Sequence, residues 1–151
     1  MTPYITHENL QNSETVHYIY ADIQTDYYWS DDFSEQFYIA LAQAGFITVT
    51  YAQEEALFLL PEMQKSYAVL DFENLHISKK VAKLLRQERY EMRFNTAFSE
   101  VLEKIQEAYE PCWMVGEYAV LMQKLASSTH ENFSVFSCEL FDTQTGALIS
   151  G

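Results

Sequence analysis

Ser78-Lys-Lys-Val-Ala-Lys-Leu-Leu-Arg-Gln-Glu-Arg-Tyr-Glu-Met-Arg-Phe-Asn-Thr-Ala-Phe-Ser-Glu-Val-Leu-Glu-Lys-Ile-Gln-Glu-Ala-Tyr109 changes hydrophobic period twice. Ser78 is an N-cap type, and Val81, Leu84 and Leu85 follow at helical spacing. Tyr90, Met92 and Phe94 then alternate, as one side of a short strand does. Asn95 offers a second cap. Behind it Phe98, Val101, Leu102, Ile105 and Tyr109 return to helical spacing, with Glu100, Glu103 and Glu107 outside. Pro111 stops that run. Helix, strand and helix follow one another here without the regularity of parallel βαβ units. The stretch therefore predicts a mixed α/β fold of the α+β kind, with helices packed on a mainly antiparallel sheet.

Working outward, residues 1–14 are polar and read as a loosely held arm, and residues 16–21 as a short strand. Ser34 caps a helix over 35–44, which Gly45 closes. Residues 46–51 alternate as a strand. Residues 56–60 form a second apolar run, stopped by Pro61, and 67–70 a third. The basic helix is expected over 79–88 and the next over 96–109. A fourth, over 115–126, carries Tyr118, Leu121, Met122 and Leu125 as its stripe. Residues 133–141 read as a strand, turned through 142–146 into a returning strand at 147–149. Such a half-built hairpin leaves an unpaired edge, so the chain is expected to be the front part of a longer ancestral domain, or a piece cut from one.

The 151 residues amount to about one domain. A hydrophobic share of 48%, with 10 Phe, 11 Tyr and 2 Trp, excludes global disorder. With only 4 Gly and 3 Pro, collagen-like and low-complexity classes are excluded too. No apolar run has membrane-helix length, and residues 1–11 lack the regions of a secretory signal. Cys112 and Cys138 stand alone, which fits two buried thiols in a reducing cytoplasm.

Charge is unevenly spread. The net charge of −13 argues against broad nucleic-acid binding. Yet Lys79, Lys80, Lys83, Arg86, Arg89 and Arg93 gather in one short stretch of an acidic chain. The island is either a solvated helix face or a docking site for an anion or a nucleic-acid backbone.

Phosphate-loop, dinucleotide, metalloprotease and nucleophile-elbow motifs are absent. His7, His17, His76 and His130 lack metal-helix spacing, so neither a metal nor another cofactor is expected. His76, beside the cap of the basic helix, reads as a local hydrogen-bonding residue. Asp31 and Asp32 precede a helix start and complement its dipole. Cys112 packs as a small hydrophobe. Trp113, in a loop between two helices, either covers the edge of the core or offers its face to a base.

Taken in order, Leu75-His-Ile-Ser78, a basic helix, residues 90–94, Asn95-Thr-Ala-Phe98 with Val101, and a loop tryptophan resemble the leucyl/phenylalanyl-tRNA–protein transferase family. That family reads L-H-I-S, basic helix, N-x-A-F-x-x-V, then G-T-W-I-T. Asp32-Phe-Ser34 with Gly45-Phe46 is similar to its D-L-S…G-I segment, and Ser134–Gly151 to its S-V-E-V…G-E-L-V-G-G hairpin. The resemblance covers residues 27–151. The departures are local. Pro111-Cys112 replaces Gly-Thr before Trp113, Phe46-Ile-Thr-Val49 replaces I-F-P-W, and residues 60–67 hold no W-W-S-P-D-P-R. The family's G-E-S-M-F and D-x-Q segments have no counterpart among these residues.

The resemblance implies an N-terminal α/β subdomain over 1–74. Residues 75–151 would then be the first part of an acyltransferase-like domain of the GNAT kind. It implies transfer of Leu or Phe from aminoacyl-tRNA to the N-terminal Arg or Lys of proteins, the N-end-rule modification, in the cytoplasm. The partners are aminoacyl-tRNA and protein N-termini, not a membrane. Trp113 becomes the residue that stacks on adenosine, and Lys79, Lys80, Lys83, Arg86 and Arg89 the tRNA contacts. No residue is assigned as catalytic, and the 151 residues alone are expected to be inactive. The alternative is a non-catalytic binding or regulatory protein derived from the family.

Overall fold

The computed structural model describes residues 2–22 and 24–151. Its order is α1 (His7–Gln11), α2 (Ser13–Ala21), α3 (Glu35–Gln43), β1 (Phe46–Gln53), β2 (Ala56–Met63), a 3-10 turn (Phe72–Asn74), α4 (Lys79–Arg86), β3 (Tyr90–Phe94), α5 (Phe98–Ala108), α6 (Gly116–Ser127), β4 (Cys138–Asp142) and β5 (Leu148–Ser150). β1 and β2 form an antiparallel hairpin, and β3-β4-β5 a second antiparallel sheet. The α+β class with antiparallel pairing is as the sequence predicts.

The hairpin fixes the main core by parity. Phe46 and Thr48 of β1, with Leu59, Pro61 and Met63 of β2, turn to the buried side. There they meet Phe37 and Leu41 of α3 and Tyr118, Leu121, Met122 and Leu125 of α6, among others. β2 also pairs outward with residues 27–30, since Tyr28 donates to the Pro61 carbonyl at 2.9 Å and Ser30 exchanges two bonds with Leu59. Pro61 therefore does not stop the second apolar run. It lacks only the N–H on the side of this short neighbour, where a missing donor is tolerated. A smaller cluster of Val101, Phe141 and Leu148 lies under α5.

Several expectations fail, each for a local reason. Residues 16–21 are helical, because Asn12 accepts from the backbone of Glu14 and Thr15 and so caps α2, while Ile19 enters the core. A cap and a buried face outweigh β-branched propensity. Residues 2–14 are no loose arm, Met1 lying outside the described residues. Ile5 is buried, its N–H bonds Trp29, and Thr6 forms a capping box with Asn9. Residues 67–70 form no strand and stay exposed. Met92 and Phe94 stand on an exposed strand face, and the Val81, Leu84 and Leu85 stripe of α4 is exposed as well. Cys138 is exposed and Cys112 half-buried, so the pair of buried thiols is not found.

The long strand over 133–141 shortens to β4. Phe133 and Val135 pack on the main core instead, and Ser137 bonds to Asn95. Asn95 is left-handed, with φ +56, and caps no helix. Its side-chain oxygen accepts from Ser137 N at 2.9 Å, and its own N–H donates to the Ser137 carbonyl at 3.1 Å.

Candidate nucleic-acid interface

α4 starts at Lys79 because Ser78 takes the Val81 N–H. At helical spacing Lys79, Lys83 and Arg86 share one face with Lys80 at its border, and the apolar stripe lies opposite. Among the described residues, none of these four cations has a carboxylate at salt-bridge distance. Arg86 folds back, donating from Nε to the Ala82 carbonyl at 3.0 Å, which leaves its remaining N–H groups facing solvent.

The other two cations of the island are committed. Arg89 forks onto one oxygen of Asp142, at 2.9 Å from Nε and 2.6 Å from the terminal nitrogen. Asp142 is nearly buried, and the Arg89 hydrogen bond holds its carboxyl below the usual range. Arg93 forks onto Glu91 and lies 4.5 Å from the Phe141 ring centroid. Arg89 thus serves first as a tie between the end of α4 and the turn after β4.

Trp113 lies in the loop between α5 and α6, partly exposed. Its ring tilts onto Tyr118 at 5.8 Å, and its carbonyl accepts from the Thr50 hydroxyl. Tyr118 in turn donates to the Thr48 carbonyl at 2.9 Å. These partners belong to α6 and β1, outside the basic segment. Trp113 is therefore supported by the main core, with 41% of its surface open.

The sequence reading misses Glu139. It is fully buried in β4, opposite the start of α5. Its carboxylate accepts from Thr96 N–H and Ala97 N–H at 3.3 Å, from the Thr96 hydroxyl at 3.0 Å and from the Ser137 hydroxyl. Those bonds, the one from Ser137 first, hold its pKa below the ordinary glutamate range. Ala97, at the N-cap position of α5, has no capping side chain, so Glu139 supplies the anion across the fold. The available signal was an acidic residue alternating in phase with inward Phe141. Both Glu139 and Asp142 hold their negative charge too firmly to accept a proton readily near neutral pH. Among the described residues no group of three or more His, Cys, Asp or Glu side chains gathers to hold a metal. Among the described residues no helix is long and apolar enough to cross a membrane.

The family model described as leucyl/phenylalanyl-tRNA protein transferase matches residues 69–151, more than half of the chain. Neither the curated proteins nor the solved structures hold a significant match. The matched span begins ahead of α4 and includes β3, α5, the Trp113 loop, α6 and the β4-β5 hairpin.

Proposed function

Because the chain belongs to the leucyl/phenylalanyl-tRNA protein transferase family, we propose that it docks aminoacyl-tRNA for transfer of Leu or Phe to the N-terminal Arg or Lys of a protein. The observation that carries this reading is the set of four cations on one exposed helix, Lys79, Lys80, Lys83 and Arg86, with no carboxylate at salt-bridge distance among the described residues of an otherwise acidic chain. Such a face suits the regular negative charge of a nucleic-acid backbone. Arg89 contributes less, being engaged by Asp142. The open face of Trp113 suits a terminal adenosine, where stacking is worth about 1–3 kcal/mol. Residues 1–74 act as an N-terminal subdomain and 75–151 as the first part of an acyltransferase-like domain, working in the cytoplasm beside charged tRNA.

The reaction joins the α-amine of the acceptor to the carbonyl of the aminoacyl ester. The amine loses a proton and the tRNA 3′ oxygen leaves. It needs positioning of both substrates and a proton acceptor. One observation favours the second reading, a family member that binds without chemistry. The two buried carboxylates of the matched span, Glu139 and Asp142, spend their oxygens on hydrogen bonds within the fold rather than facing an open site.

Labelled Phe-tRNA titrated at two salt concentrations tests the docking. Each neutralised phosphate adds about −0.9 to the slope of log affinity against log salt, so four contacts give roughly −3 to −4. Replacing Lys79, Lys83 and Arg86 together with Glu is expected to abolish binding. Trp113→Ala is expected to weaken it at unchanged slope. Unchanged affinity in the triple variant would make α4 a solvated face and remove the reading. In the same mixture, radiolabelled Phe should not pass from the tRNA to a peptide with N-terminal Arg when only these 151 residues are present. Turnover surviving purification from host transferase would refute that expectation and eliminate the binding-only reading.

A further inference from the structure

β3 is an edge strand. It pairs with β4 on one side, and among the described residues no strand or isolated bridge meets its other side. The parity of the β3-β4 ladder fixes which backbone groups are left over. Thr143 donates to the Arg89 carbonyl at 2.8 Å and Asn95 to the Ser137 carbonyl at 3.1 Å. Residues 89, 91, 93 and 95 therefore turn their backbone groups to β4 and its flanks. The N–H and C=O groups of Tyr90, Met92 and Phe94 point the other way. No proline or glycine interrupts them, and the pairing with β4 runs without a bulge. An edge left in this state is a template for another strand.

The side chains select the strand that fits. Tyr90, Met92 and Phe94 share one face, on which Met92 is 59% and Phe94 61% exposed. Glu91 and Arg93 share the other, paired along the strand at 2.6 Å and both about half exposed. Read in either direction, Tyr90-Glu-Met-Arg-Phe94 is aromatic, charged, apolar, charged, aromatic, with the two charges of opposite sign. Laid antiparallel on itself with Met92 opposite Met92, it sets Tyr90 against Phe94 and Glu91 against Arg93, each pair occurring twice. The ladder parity agrees. Met92 is one of the residues with outward backbone groups, so the central pair can exchange both hydrogen bonds. Glu91 and Arg93 then fall at the closer, non-hydrogen-bonded positions, where opposite charges attract across the strands. Their four charges close into a ring of alternating sign. Charges of one sign at both positions would instead repel a second copy, which is how edge strands are commonly protected.

We propose that β3 is a dimerisation edge, through which two copies of this chain pair antiparallel about a two-fold axis at Met92. The two three-stranded sheets then become one of six strands, in the order β5-β4-β3-β3-β4-β5. The occupant is a second copy because the strand complements itself in charge and in aromatic pairing. A net charge of −13 on each copy opposes association, so the dimer is weak. The pairing uses none of the four α4 cations and is independent of tRNA docking.

Sedimentation velocity on the 151-residue chain, from about 5 to about 500 µM at physiological salt, spans the range of a small interface. The wild type is expected to pass from monomer to dimer within it. Arg93→Glu sets acids against acids and Glu91→Arg sets bases against bases, so each variant alone should dimerise roughly tenfold or more weakly. Mixed one to one, the two variants are complementary again at both positions, and a heterodimer of near wild-type strength should form. A chain carrying Glu91→Arg and Arg93→Glu together should dimerise like the wild type. Circular dichroism checks that each variant is folded, and if one single variant is not, the double exchange decides. A wild type that stays monomeric throughout leaves the edge to a different chain and overturns the proposal. Single variants that dimerise unchanged, a mixture of folded variants that does not restore pairing, or a folded double exchange that stays monomeric also overturns it.

Discussion

Removing one oxygen atom, in Tyr118→Phe, tests how the main core supports the Trp113 loop. Leu59 and Pro61 turn their backbone groups toward residues 27–30, so the carbonyl of Thr48, opposite Pro61, faces the free edge of β1. Among the described residues no strand continues the sheet on that side. The Tyr118 hydroxyl takes up the carbonyl at 2.9 Å and has the Tyr38 hydroxyl at 3.3 Å. The tyrosine is 2% exposed, so water cannot replace the bond freely. Phenylalanine keeps the ring and its contacts with Trp113 and Tyr38. What is lost is a buried neutral hydrogen bond whose acceptor stays behind, a cost of about 1–2 kcal/mol. For a chain of this length each kcal/mol lowers the melting temperature by about 2–4 °C, giving an expected drop of about 2–8 °C. Burial pushes the Tyr118 hydroxyl far above the tyrosine range, so the difference between the proteins should be flat around neutral pH. Calorimetry with Trp113 fluorescence is the assay, and the emission maximum should not move. A melting temperature within about 1 °C of wild type would show that the carbonyl finds another donor and would refute the edge argument.

Glu139→Gln should lower the urea midpoint at neutral pH, because an amide offers one oxygen where the carboxylate takes five donor contacts. The folded pKa is depressed, so this contribution is full above the unfolded value of about 4.3 and fades as pH falls through the lower folded one. The gap between wild type and variant, followed from neutral pH into acid, should close, and a constant gap would contradict an ionised Glu139. Arg89→Lys should also lower the midpoint, since an ammonium cannot fork onto Asp142. Because Arg89 is already engaged, its tRNA affinity should fall less than that of Lys83→Glu, and an equal fall would return Arg89 to the tRNA face.

The legible parts of the fold were those decided within a few residues. α3 and α4 have Ser caps and periodic stripes, and β1, β2 and β3 have β-branched or alternating residues, so their places were readable. The errors came where a distant partner decides. Residues 16–21 have strand composition, but Asn12 and the core position of Ile19 make them helical. Asn95 looks like a cap from its neighbours alone. Its side chain is taken by Ser137, 42 positions away, and the capping passes to Glu139. Exposure was misread for the same reason, since periodicity gives a face and not what covers it. Val81, Leu84 and Leu85 make a regular stripe and are nonetheless open to solvent.

The candidate site divides along the same line. A cluster of cations is visible in the sequence, but which of them are free depends on which acids they meet in the fold, one near in the chain and one 53 positions away. Asp142 removes Arg89 from the island and Glu91 removes Arg93, while Lys79, Lys80, Lys83 and Arg86 have no such partner among the described residues. The salt bridges thus sort one basic island into an end tied to carboxylates and an end with none at salt-bridge distance among the described residues, the one proposed to bind. The tied end joins α4 and β3 to β4, the strand whose Glu139 caps α5. The four cations of α4 therefore project from a helix anchored at its C-terminal side. Charge reversal on α4 at 79, 83 and 86 removes no partner of a buried acid, whereas a change at 89 strands Asp142. The two ends predict opposite signatures, lost tRNA affinity at unchanged stability for the first and lost stability at nearly unchanged affinity for the second.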